Sequence, residues 1–91
     1  MRRHFVYIVR CRDGSLYTGW ARDAQARLRL HNSGRGAKYT RGRGPVRLVY
    51  SEACATLADA LRREYELKQW PRAKKQELIH RAGRAVRKAR G

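Results

Sequence analysis

Acidic residues are scarce in this chain: 7 Asp and Glu stand against 23 Lys and Arg, leaving a formal charge of +16. That imbalance exceeds what solubility requires. A sequence pI near 11.4 implies a polyanionic partner, and nucleic acid is the usual one. Long apolar runs are also missing, and none approaches the ~18 residues that a membrane helix needs. No helical stretch pairs a basic face with a wide Trp, Phe and Leu face, so a membrane surface is not expected as the partner. The first residues, Met1-Arg2-Arg3-His4-Phe5, lead straight into strand-like sequence without the apolar stretch and small-residue cleavage site of a signal peptide. Cysteine is limited to Cys11 and Cys54, too few for a disulfide framework and without metal-ligand spacing. Both are expected to be reduced, buried thiols in a cytoplasmic protein. What remains suffices for one small domain, since 42% of 91 residues are apolar.

The residues from Phe5 to Cys11 are nearly all β-branched or aromatic and read as a strand. Asp13-Gly14 signals a hairpin, with Leu16-Tyr17-Thr18-Gly19-Trp20 as the returning strand. A helical pattern begins at Asp23 and runs to His31, where Asn32-Ser33-Gly34 is a stop signal. Residues 33–45 form a loop, and Val46–Tyr50 a third strand. Thr56-Leu57-Ala58-Asp59 resembles a capping box and opens a helix to about Gln69. Pro71 suits a first helical position, and a short last helix is expected over Arg72 to His80. The resulting order, β-β-α-β-α-α, describes an α+β domain in which helices flank a three-stranded antiparallel sheet. Residues 1–80 are read as that single domain and 81–91 as a frayed, basic C-terminal tail.

Glu64 is the most informative position. On a helical projection at about 100° per residue, it falls inside the arc of Leu57, Ala60, Leu61 and Leu67, whereas Glu66 faces the other way. A carboxylate on an apolar stripe is costly unless it is paired or bound to a cation. An ion pair with Lys68 one turn on is one explanation, and a metal ligand is the other. Arg27 and His31 project from one face of the first helix, where Arg can clamp a phosphate and His can move a proton near neutral pH. Tyr7 and Tyr17 lie on the paired first strands. Between Asp23 and Glu52 there is no acidic residue and there are seven basic ones. Within that stretch, residues 34–44 interleave Arg35, Lys38, Arg41 and Arg43 with glycines and Tyr39. The cations can neutralise phosphates, the glycines permit close approach, and Tyr39 offers a stacking face. A solvated flexible loop is the alternative.

Together these residues resemble the GIY-YIG nuclease family. Phe5-Val6-Tyr7 stands where that family has Gly-Ile-Tyr, and Tyr17-Thr18-Gly19 where it has Tyr-Ile-Gly. The stretches Asp13 to Gly19, His31-Asn32, Lys38-Tyr39-Thr40-Arg41 and Arg63-Glu64-Tyr65-Glu66 are especially similar to its small, stand-alone bacterial members. The resemblance implies a metal-dependent endonuclease that hydrolyses DNA phosphodiester bonds, with Tyr7, Tyr17, Arg27, His31 and Glu64 in the site. It implies Mg²⁺ (or Mn²⁺) held by Glu64, attack by water deprotonated by one of the two tyrosines, and Arg27 on the developing phosphate charge. A phenol needs nearby cations to serve as that base, and Arg27 and the metal are expected to supply them. DNA is expected over RNA, and a structure-directed or nonspecific activity, since no base-reading element is visible. DNA repair or recombination is the expected setting. A non-catalytic DNA- or RNA-binding module on the same scaffold is the alternative reading.

The hairpin carries a geometric expectation. A two-residue turn would pair Arg10 with Tyr17 and put Tyr7 and Tyr17 on opposite faces of the sheet. A three-residue loop with Gly14 in the left-handed region shifts the pairing to Cys11 with Tyr17 and Val9 with Gly19. The two phenols then share a face, and Gly19 leaves space there for a phosphate. The bulged form is the expected one.

Overall fold

The computed structural model describes residues 4–90, with side chains described as far as residue 83. Three strands, β1 (His4–Arg10), β2 (Leu16–Ala21) and β3 (Arg47–Cys54), form one antiparallel sheet in the order β2-β1-β3. Helix α1 (Ala24–Asn32) follows β2, while α2 (Leu57–Gln69) and α3 (Arg72–Arg90) follow β3. The α+β order expected from the sequence is therefore the observed one. No helix among the described residues is long and apolar enough to cross a membrane.

β1 lies between two layers of side chains. Val6 and Ile8 point to one face and Tyr7 and Val9 to the other, and all four are buried. A centre strand covered on both sides must be apolar at every position, which is why Phe5 to Val9 reads as a continuous run and not an alternation. On the first face Val6 and Cys54 pack with Ala60 and Leu67 of α2, with Trp20, Trp70 and Leu78 around them. On the second, Tyr7, Val9, Cys11 and Val46 pack with Tyr17, Leu48 and Leu28 of α1.

The hairpin uses the expected device in a different register. The Gly14 N–H donates to the Cys11 carbonyl (2.9 Å), the Cys11 N–H donates to the Ser15 carbonyl (2.8 Å), and Gly14 has φ +87°. This is a three-residue loop closed by a left-handed glycine. The loop comprises Arg12, Asp13 and Gly14, however, so Val9 pairs with Tyr17 and Tyr7 with Gly19. The shift from the expected pairing is two residues, and an even shift preserves the face. Tyr7 and Tyr17 do share one side of the sheet. Gly19 does not leave room for a phosphate: a Cβ there would lie 2.6 Å from the Tyr7 Oη, so the missing side chain makes room for that phenol.

Two elements run beyond their expected ends. β3 continues to Cys54, past Tyr50, because Ser51, Glu52 and Ala53 pair with Tyr7, Val6 and Phe5. Helix α3 continues to Arg90, where a tail was expected from residue 81. The residues after Gly83 are mainly Ala, Arg and Lys, all strong helix formers, and a single glycine costs only about 1 kcal/mol. The side chains of residues 84–90, and residue 91, lie outside the described part.

Helix α1 ends as its Asn32-Ser33-Gly34 sequence suggests. The Gly34 N–H donates to the His31 carbonyl (3.2 Å) and the Arg35 N–H to the Leu30 carbonyl (3.0 Å), a Schellman closure that turns the chain back over the helix. Asn32 then ties the far end of the loop. Its Nδ2 donates to the Val46 carbonyl (3.1 Å) and its Oδ1 accepts from the Val46 N–H (2.7 Å), as a neighbouring strand would. Replacing Asn32 with Ala removes both bonds and leaves two main-chain groups without them. The expected cost is about 1–3 kcal/mol, read as a lower urea midpoint at unchanged slope.

Candidate nucleic-acid cleavage site

The returning loop lays its backbone on His31. Gly36 packs so closely on the imidazole that any Cβ there would collide with Nδ1, so the position tolerates only glycine. The turn Lys38–Thr40 follows, and it brings Thr40 Oγ1 to 2.8 Å from His31 Nδ1. The Ala37 N–H also points at Nδ1 from 3.3 Å, and the Thr40 hydroxyl lies 2.9 Å from the Ala37 carbonyl. On the other side of the ring, Nε2 is 2.8 Å from Tyr7 Oη. Tyr7, His31 and Thr40 are each about 1% exposed. A buried chain therefore runs from the sheet, through α1, to the loop.

The other candidate residues gather around this chain. Tyr17 meets the His31 ring edge-on, with centroids 5.6 Å apart. Arg27, one turn before His31, is close enough to act on the ionisation of both His31 and Tyr7. Glu64 is near enough for its charge to raise the Tyr7 pKa, and Lys68 Nζ lies 5.8 Å from the centre of the Tyr17 ring. All five expected site residues thus converge on one region at the β1–β2 side of the sheet.

The electrostatics depart from expectation at Tyr7. Its pKa is pushed up to about 12, chiefly by burial, and the nearby Arg27 only partly offsets this. Nearby cations were expected to lower the phenol, but here desolvation outweighs them. Burial, and secondarily Arg27, holds His31 below the ordinary imidazole value, so it is neutral at pH 7.

Glu64 stands apart among the carboxylates. Asp13 is held by Arg43, Asp59 by Arg62, Glu52 and Glu66 by Arg63, and Glu77 by Arg81, while Asp23 caps α1 through the Ala26 N–H. Glu64 has no hydrogen bond among the described residues. Its one ionic neighbour is Lys68, at 3.6 Å, and its side chain is 19% exposed. The stripe that holds it differs from the expected one. Leu57 and Leu61 are exposed (41% and 44%), and the buried line of α2 is Ala60 and Leu67, with Glu64 at its border.

The basic loop divides in two. Arg35, Lys38 and Arg41 are exposed and make no ion pair among the described residues. Arg43 is not free in the same way: it donates to Asp13 (2.7 Å) and lies 4.4 Å from the centre of the Tyr39 ring. Tyr39 is 42% exposed, but its ring already stacks on Tyr17 at 5.8 Å, which narrows its use as a platform for bases. Sequence reading missed the roles of Gly36, Ala37 and Thr40. Thr40 stood inside the quoted Lys38–Arg41 motif, but nothing local marks a hydroxyl as the partner of a histidine nine residues earlier.

The chain is similar to known proteins along most of its length. A family model described as the GIY-YIG catalytic domain matches residues 3–77. UPF0213 proteins of Staphylococcus aureus are 60% identical over 79 residues, covering 87% of this chain and 96% of theirs. The solution structure of a UPF0213 protein from Bacillus halodurans is similar at a TM-score of 0.56 and 52% identity, covering 85% of this chain and 82% of that one. A solution structure from E. faecalis has a TM-score of 0.59 and 34% identity, covering 91% and 92%.

The buried, neutral His31 makes stability depend on pH. Its folded pKa lies below the unfolded value of about 6.5, so the unfolded chain takes up the proton first on acidification. The contribution is full above that value and is lost as pH falls from it toward the folded pKa. Urea unfolding of the wild type should show a falling midpoint over that range, and His31→Gln should flatten the fall.

Proposed function

The chain belongs to the GIY-YIG family, and from that premise we propose that it is a metal-dependent endonuclease hydrolysing DNA phosphodiester bonds in the cytoplasm. The observation that carries this reading is the convergence of a buried Tyr7–His31 pair, Arg27 and Glu64, the one carboxylate without a hydrogen bond among the described residues, beside a loop whose Arg35, Lys38 and Arg41 make no ion pair among them. Glu64 pairs with Lys68 at 3.6 Å but has no hydrogen bond among the described residues, and a carboxylate with lone pairs to spare suits a cation. No group of three or more His, Cys, Asp or Glu that could hold a metal occurs among the described residues. A single carboxylate fits Mg²⁺, which keeps several waters and takes further oxygens from a phosphate; Mn²⁺ is the substitute. Glu64 would hold it. Bound there, the ion supplies charge for the phosphate oxygens and lowers the pKa of a coordinated water.

The chain's own residues do the rest. Arg35, Lys38 and Arg41 hold the backbone phosphates, each neutralised phosphate adding about −0.9 to the log–log salt slope on duplex DNA. Arg27 faces the phosphate under attack and stabilises its growing charge. The attacking water gives its proton to Tyr7 Oη as Tyr7 passes its own proton to His31 Nε2. The water oxygen bonds to phosphorus, the phosphorus–oxygen bond to the leaving strand breaks, and the leaving oxygen takes a proton from solvent. Tyr7 is the better candidate of the two phenols because its hydroxyl, among the described residues, is hydrogen-bonded to a group that can take up a proton, His31 Nε2 at 2.8 Å. Cleavage on this reading is structure-directed or nonspecific, a pattern suited to repair or recombination. One observation favours a second reading, a binding module for DNA or RNA: Tyr7 is about 1% exposed, with its pKa near 12. Cleavage requires water to reach it once substrate is bound.

Supercoiled plasmid and labelled flap substrates, with Mg²⁺ and with EDTA, separate the readings. The wild type should cut only with the metal. Glu64→Gln should cut slower by about 10²-fold or more, the scale of losing one electrostatic contributor to a transition state, while retaining binding in a gel shift. A wild type that binds but never cuts supports the binding module. A Glu64→Gln protein that cuts normally removes Glu64 from the metal site.

A further inference from the structure

We propose that Thr40 is a positioning residue that sets the tautomer of His31, fixing the proton on Nδ1 so that Nε2 is bare toward Tyr7. The proposal rests on the catalytic reading of Tyr7 and His31 given above. It follows from counting hydrogens. The Ala37 carbonyl, 2.9 Å from Thr40 Oγ1, can only accept, so the single hydroxyl hydrogen of Thr40 goes there. Thr40 Oγ1 is then an acceptor at 2.8 Å from Nδ1, which must carry a hydrogen. A neutral imidazole with Nδ1–H has a bare Nε2, and the Tyr7 hydroxyl at 2.8 Å donates to it. The chain is Tyr7 O–H to Nε2, Nδ1–H to Thr40 Oγ1, and Thr40 O–H to the Ala37 carbonyl, each bond polarising the next.

One contact opposes this. The Ala37 N–H points at Nδ1 from 3.3 Å, and a backbone N–H cannot accept. On its own it would make Nδ1 the acceptor and place the proton on Nε2. His31 would then donate to Tyr7 and could take no proton from it. The opposing contact is the longest of the four, against three between 2.8 and 2.9 Å, so the threonine decides the direction. The base, its proton donor and a third group that orients the base recur in nucleophile activation generally. Here the orienting group comes from the loop that carries Arg35, Lys38 and Arg41. The segment that grips phosphate also sets the direction of proton transfer.

Long-range ¹⁵N–¹H correlation spectra of the full chain, recorded above the pH at which His31 charges, read the tautomer without any reference to cleavage. Wild type and Thr40→Ser should show the proton on Nδ1. Thr40→Val should move it to Nε2, because the Ala37 N–H is then the remaining partner of Nδ1. In Mg²⁺-dependent cleavage, Thr40→Val should lose about tenfold or more, and Thr40→Ser should recover most of that. A wild-type protein with the proton on Nε2 overturns the proposal, even if Thr40→Val fails to fold. So does a folded Thr40→Val protein with an unchanged tautomer. If the spectra are as expected and the wild type does not cut, the threonine's role stands and the nuclease reading falls. If cutting is found and the tautomer is indifferent to Thr40, the reverse holds.

Discussion

A buried imidazole has two polar nitrogens and no water to satisfy them, so protein groups must meet both. His31 meets this constraint with partners from two places in the chain: Tyr7 on the central strand and Thr40 in the loop. Much of the local structure is arranged so that these partners arrive. The Schellman closure at Gly34 reverses the chain, the bare Cα of Gly36 lets it pass against the ring, and Asn32 holds the loop's exit to Val46. On the sheet side, the absent side chain of Gly19 makes room for the Tyr7 phenol.

The distribution of carboxylates complements that arrangement. With 7 acids against 23 Lys and Arg, an acid can hardly avoid a cationic neighbour. Six of the acids have a hydrogen-bonded partner, five of them arginine, and the exposed ones among these pairs contribute little to stability. Glu64, largely sheltered at the border of α2's buried line, keeps its oxygens free of hydrogen bonds among the described residues. Lys68 at 3.6 Å neutralises part of that charge, and the lone pairs it leaves unused are the ground on which the proposed metal is assigned to Glu64.

Much of the fold could be read from the sequence because its signals are local. Thr56 is a side-chain cap where expected, Asp23 caps the helix expected to begin there, and the β-branched run of β1 is a buried central strand. Signals that depend on distant partners were harder to read. β3 runs to Cys54 only because β1 offers pairing partners there, and the bulge between Ile8 and Val9 has no mark in either strand's sequence. The hairpin's turn type was legible in Gly14, but its register depended on whether Arg12 belonged to the loop. That Tyr7, Tyr17, Arg27, His31 and Glu64 would come together was legible through spacing and family resemblance. Their electrostatics were not, because the desolvation that raises Tyr7 is a property of the assembled core. Thr40 escaped notice for the same reason: its significance is a 2.8 Å contact made by tertiary structure.

The central claim is that the Tyr7 hydroxyl, handing its proton to His31, is chemically part of phosphodiester cleavage. Single-turnover cleavage of a labelled flap substrate by Tyr7→Phe, in Mg²⁺ and with binding measured in parallel, tests it most directly. The ring remains to fill the space against Gly19, and the variant loses only the hydroxyl. The account predicts binding near the wild-type level and a cleavage rate lower by about 10²–10⁴-fold, the range of general acid–base catalysis. Cleavage by Tyr7→Phe at the wild-type rate would contradict it.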